Sequence, residues 1–179
     1  MKNNDLPDLI LHTWQTNNRV TESFIEHLPQ KVWRMKIPGS PRKSVQMLAG
    51  HIHNSRCMWI KMIGRTYGIK PPANVERRTV TRRELLRALK KSNAGMVELL
   101  KRGLGEEGKL RMNMPWANIL SDVVHFMTYL AAHEAHHRGQ IVLAARAADV
   151  RLPGEVTSGL WQWKRLHKEA HTRKKTGSG

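Results

Sequence analysis

The sequence predicts an all-α protein, a four-helix bundle of antiparallel helices with a C-terminal extension. Three observations carry that expectation. Four long segments repeat apolar residues at three- and four-residue steps, the period of one helix face. Almost nothing alternates with the period of two that a half-buried strand needs. Pro and Gly clusters separate the segments, and connections of moderate length suit the packing of neighbouring helices in a bundle. At 179 residues the chain is long enough to enclose one sizeable core.

The first helix is expected from about Pro7 to Leu28, with Ile10, Trp14, Asn17, Thr21, Phe24, Ile25 and Leu28 on its stripe. Pro29 follows, and its missing N–H discourages continuation. Pro38-Gly39-Ser40-Pro41 reads as a loop. The second helix begins near Pro41 or Ser44 and carries Val45, Leu48, Ala49, Ile52, Trp59, Met62 and Ile63. It ends around Gly64 to Gly68, ahead of Pro71-Pro72. The third opens on Thr81-Arg82-Arg83-Glu84, which has capping-box spacing. Leu85, Leu86, Leu89, Asn93, Met96, Leu99 and Leu100 form its stripe, and Gly103 and Gly105 close it.

The fourth helix is expected from Pro115 or its neighbour to about Ala148, through Leu120, Val123, Val124, Met127, Leu130, His137, Ile141 and Ala144. Pro153-Gly154 ends it, and an aromatic cluster, Leu160-Trp161-Gln162-Trp163, follows. The domain reading is a bundle over residues 1–167 and a basic flexible tail over 168–179.

Composition narrows the class. No run approaches the roughly 18 apolar residues of a membrane span, and the N-terminus lacks an apolar signal core, so a cytoplasmic protein is expected. Cys57 is the only cysteine, which excludes an intrachain disulfide and fits a reducing compartment. Between Arg56 and Met58 on an apolar helix, it reads as buried and inert. The net charge of +17 attracts any polyanion by a salt-dependent route. Most basic residues fall where a helix faces water, so a solvated face is the simpler account. A non-enzymatic basic bundle that binds nucleic acid or another polyanion is the alternative function, with no zinc-finger or RNA-binding motif to support it.

The chemistry concentrates in His133-Glu134-Ala135-His136-His137-Arg138-Gly139-Gln140. Residues four apart on a helix stand one turn above each other, roughly 5–6 Å between Cβ atoms, so two imidazoles there can reach one ion. Helical register places His137 on the inward stripe and His133 at its edge, with His136 towards the flank. On the second helix, register favours His51 over His53 as a third ligand. Three imidazoles from two helices suit a divalent metal and leave room for water or substrate. Glu134 points close to the inward direction and is a candidate proton acceptor, ligand or partner of an imidazole N–H. Trp14, Asn17, Trp59 and Tyr129 are candidate pocket residues. His12, His27, His125, His167 and His171 read as surface or ordinary polar contacts.

His133-x-x-x-His137-Arg138-Gly139-Gln140-Ile141 resembles the signature of the DinB-like (YfiT-like) metalloenzyme superfamily. Val45 to Ile52 resembles the family's second-helix segment, and Leu152-Pro153-Gly154 followed by Gly159-Leu160-Trp161 resembles its C-terminal signature, the three motifs in family order. The resemblance spans about Trp14 to Trp163. It implies a four-helix bundle with His51, His133 and His137 as metal ligands, and Zn or Ni as the ion. It also implies a homodimer, and a hydrolase or a transferase that uses a low-molecular-weight thiol and a small-molecule substrate. The basic balance and Lys/Arg-rich tail depart from the family pattern. Gly139 is expected to let another helix approach closely, and Arg138 to pair with an acid on a neighbouring helix or with an anionic substrate.

Overall fold

A computed structural model describes residues 5–114 and 116–172. Four long helices dominate it: α1 (Leu6–His27), α3 (Val45–Gly64), α4 (Arg82–Leu104) and α5 (Val123–Ala147), with a short α2 (Gln30–Trp33) after the first. Two short helices, α6 (Gly154–Thr157) and α7 (Trp163–Thr172), form the C-terminal extension, with a 3-10 turn at Ser158–Trp161 between them. The domain boundary expected at residue 168 falls inside α7, which is helical through Thr172. The rest of the expected tail, residues 173–179, lies outside the described residues.

Local signals set the starts of α1 and α4. Asp5 caps α1 by accepting from the Asp8 amide at 3.0 Å. Thr81 and Glu84 form the full reciprocal capping box at the start of α4. Of the two expected starts for α3, Ser44 is the N-cap. Two expectations need correction. The connector read as a loop contains a small antiparallel hairpin, β1 (Lys36–Ile37) with β2 (Ser40–Ser44). And α5 starts at Val123, well after the expected Pro115, because the segment before it is held as a return loop. Leu110 N–H donates to the Ser121 carbonyl at 2.8 Å, and Val123 N–H to the Gly108 carbonyl at 2.9 Å. Leu120 therefore lies outside the helix, exposed, and Val124 is exposed as well.

Two apolar clusters give the helix directions. One holds Ile10 and Trp14 of α1, Trp59 to Ile63 of α3, Met96 to Leu100 of α4 and Val123 to Leu130 of α5. The other holds Phe24 to Leu28, Val45 to Ile52, Leu85 with Leu89, and Ile141 with Ala145. Thus α1 and α5 run one way through the bundle and α3 and α4 the other, which corrects the expectation of antiparallel neighbours throughout: α3 and α4 are parallel. The parallel step from α3 to α4 requires a crossover, residues 65–81, which is pinned along α3. Asn54 Nδ2 donates to the Val75 carbonyl at 3.1 Å, and the Val75 amide donates back to Asn54 Oδ1 at 2.9 Å.

A buried polar layer separates the two clusters, built from Asn17, Asn18, Thr21, Arg56, Glu134 and Arg138. Arg56 Nε and Nη2 donate to the two oxygens of Glu134 at 2.7 and 2.9 Å, and Arg56 also lies over the Trp14 ring. Thr21 and Asn17 donate to the same carboxylate at 2.7 and 3.1 Å. Close helix approach occurs at Gly103, where an added Cβ would meet Val123 at 2.5 Å. The expectation for Gly139 is overturned within this chain: it is exposed, with no atom within 4 Å of an added Cβ.

Candidate metal centre

Helix α5 turns about 100° per residue, so its inward residues, Glu134 and Arg138, serve the polar layer. Their neighbours His133 and His137 emerge at the edge of the bundle, half-buried, facing His51 of α3. The three rings converge: ring centroids lie 4.5 Å apart for His133 and His137, 4.7 Å for His51 and His137, and 5.2 Å for His51 and His133. One nitrogen of each lies within 4.8 Å of the others. Among the described residues, this is the one grouping of three or more potential ligands that meets that spacing.

The electrostatics keep these rings neutral. Burial, then the neighbouring rings of His137 and His133, and beyond them Arg77 and Lys43, push His51 down to about 4. Burial and His137 lower His133, and Glu134 opposes the shift. Burial lowers His137, against a raising contribution from its bond to Gln140. Neutral imidazoles carry the free lone pair that metal binding needs. His137 Nδ1 lies 2.8 Å from Gln140 Oε1. An amide oxygen accepts only, so the proton sits on Nδ1 and the Nε2 lone pair is left for an ion. That Nε2 faces His133 Nε2 at 3.1 Å. The donor set therefore fits a divalent metal: three neutral nitrogens, at least one fixed in the ligating tautomer.

Register analysis separated the other histidines well. His53 is fully buried between Ser92 Oγ at 3.1 Å and the Ala73 carbonyl at 3.0 Å, so both ring nitrogens are engaged in holding α4 and the crossover to α3. His136 is exposed on the flank. Cys57 is buried and its thiol is pushed up to about 11, chiefly by burial, which makes it inert as expected.

Glu134 is a correction. Burial alone would raise its carboxyl, but Arg56, Arg138 and Thr21 hold it below the usual carboxylate range. A carboxylate that already accepts four hydrogen bonds and is held ionised makes a poor proton acceptor. Its geometry is that of a buried structural anchor. Arg138 likewise pairs within its own helix, with Glu134 at 3.7 Å, and reaches α1 through Thr21 Oγ1 at 2.5 Å.

Of the candidate pocket residues, Tyr129 stacks on His133 with a centroid distance of 6.4 Å, and Trp59 packs edge-on to Tyr129 at 5.8 Å. Trp116 stacks on Trp59 at 6.2 Å, extending an aromatic wall beside the histidines. Tyr129 also lines a cavity of about 370 Å³ with Ile119, Leu120 and His125. Trp14 and Asn17 do not belong there: Trp14 donates to Asn93 from within the core, and Asn17 sits in the polar layer. Sequence reasoning missed Arg56, because its partner is 78 residues away. It also missed Gln140, which the three-residue helical step to His137 could have revealed. His12, His167 and His171, expected as surface or ordinary polar contacts, pack together with centroids 4.2 to 6.0 Å apart and help dock α7 on α1.

An all-α bundle with a three-histidine cluster compatible with metal binding defines the class of this protein. The DinB family profile matches residues 1–154, and the chain belongs to that family. Comparison with curated proteins finds no match. No described helix is long and apolar enough to cross a membrane.

Proposed function

We propose that this protein is a divalent-metal-dependent enzyme whose ion is held by His51, His133 and His137. The observation that carries the reading is the convergence of three neutral imidazoles from two helices, with nitrogens within 4.8 Å and no carboxylate in the set. Zn and Ni suit an all-imidazole donor set. Bound there, the ion would supply Lewis acidity that lowers the pKa of a water or a thiol. That chemistry fits a hydrolase or a transferase using a low-molecular-weight thiol. This chain's own contributions are more specific. Gln140 holds His137 in the ligating tautomer. Tyr129 stacks on His133 and also lines a cavity of about 370 Å³ that none of the three histidines lines, one helical step along α5 and large enough for a small molecule. The same reading carries a homodimer, which sedimentation at micromolar concentration tests directly.

Metal analysis of protein made without an affinity tag or chelator is the decisive experiment. Near-stoichiometric Zn or Ni is expected in wild type, with loss in His51→Ala, His133→Ala and His137→Ala. Full metal content in all three variants would rule out the site.

A further inference from the structure

The basic residues are less scattered than their positions in the chain imply. Between α4, the β-hairpin and the end of the crossover lies an open cavity of about 1170 Å³ that contains none of the three clustered histidines. Its α4 wall carries Arg82, Arg83, Arg87 and Lys90. Arg83, Arg87 and Lys90 follow at steps of four and three, so they share one exposed helix face. Arg34, Lys36, Arg42 and Arg78, from the hairpin region and the crossover, line the same cavity.

One carboxylate, Glu26, stands against these eight cations, and it is already paired with Arg19 at 2.8 Å. Among the described residues, none of the eight forms an ion pair within 4.0 Å. Like charges that line a concavity focus the field inside it and concentrate anions there. The lining also includes apolar residues: Met47 and Leu86, half-buried, with Trp33 and Val80 buried behind the polar groups. Trp33 is only 2% exposed, so the cavity offers no open ring on which the bases of a strand would stack. The volume exceeds the roughly 300–1,000 Å³ of common small-molecule sites, which leaves room for a polyanionic ligand.

We propose that this cavity binds a small organic polyphosphate, its phosphates held by the Arg and Lys side chains and its less polar body against Met47 and Leu86. The site is independent of the histidine cluster, so it stands or falls separately from the metal reading.

Calorimetric titration of the full chain with ATP and with inorganic tripolyphosphate, at low and at physiological salt, tests it. Both probes are expected to bind at one site, ATP more tightly because of its body, and both to weaken at least about fivefold at the higher salt. Arg83→Glu/Arg87→Glu/Lys90→Glu is expected to lower affinity at least about 20-fold. All three residues are exposed, so its melting temperature should hold. Should that variant not fold, Arg87→Gln/Lys90→Gln is expected to lose at least about threefold. His133→Ala is expected to bind as wild type does. The proposal is overturned if neither probe binds at millimolar concentration, or if the charge variants bind undiminished. Loss of binding in His133→Ala would place the anion at the histidines instead. Binding of a single-stranded oligonucleotide without either small probe would mark a nucleic-acid surface and also overturn it.

Discussion

Helix α5 carries two pairs of polar residues at the same four-residue spacing, Glu134 with Arg138 and His133 with His137, one residue out of step. The first pair is 1% and 5% exposed and fully engaged with α1 and α3. The second is half-buried, faces a third imidazole, and meets no acid. One helix thus presents a closed polar network on one face and an open set of donors on the next. Closure makes the difference: where every lone pair and proton is matched, the group holds the fold, and where donors converge unmatched, a ligand is invited.

The largest way to break that contrast is Arg56→Leu. It strands the Glu134 carboxylate in the interior, and removing one partner of a buried pair costs about 3–5 kcal/mol. Chemical denaturation should show that loss, while metal bound per folded molecule stays unchanged. Loss of metal at full occupancy of the fold would show that the two networks act as one.

Acid should separate the pairs next. Glu134 has a folded pKa below its ordinary value, so the native state binds fewer protons than the unfolded chain. Its stabilisation is present above the ordinary carboxylate range and fades as pH falls through the lowered value. For the histidines, protons compete with the ion. With His51 near 4 and its two partners also lowered, metal affinity should hold as pH passes below 6.5 and fail only further down. Metal titrations across pH 4–8 check this. A steep loss centred on 6.5 would contradict the neutral cluster.

Gln140→Leu sharpens the contrast more gently. It frees the His137 tautomer without removing a ligand, and metal affinity should drop about 10-fold with little change in melting. The smallest effect is expected from Gly139→Ala. The site is exposed and open, so the methyl should stabilise α5 by about 0.5–1 kcal/mol. A melting temperature that falls instead would mean that a partner molecule packs at Gly139.

Much of this molecule is legible along the chain. Periodicity located the four long helices, and the Thr81–Glu84 capping box marked the start of α4. Helical register sorted His51 from His53 and His133 and His137 from His136, because direction around a helix is a local property. The misses share a cause. Periodicity puts the start of α5 too early because backbone bonds from Leu110 and Val123 hold the preceding segment as a loop, and residue type does not encode them. Glu134 was read correctly as inward, but its role depends on Arg56, 78 residues away.

Register and composition alone therefore establish the bundle, the candidacy of His51, His133 and His137, and the excess of positive charge; folding brings those three histidines together. Folding settles which inward groups are already satisfied. It also gathers Arg34, Lys36, Arg42 and Arg78, dispersed along the chain, around the same cavity as Arg83, Arg87 and Lys90 of α4. The physical reason is range: helical period and capping act over a few residues, whereas hydrogen-bond closure, desolvation and the focusing of charge depend on neighbours brought together from distant parts of the chain.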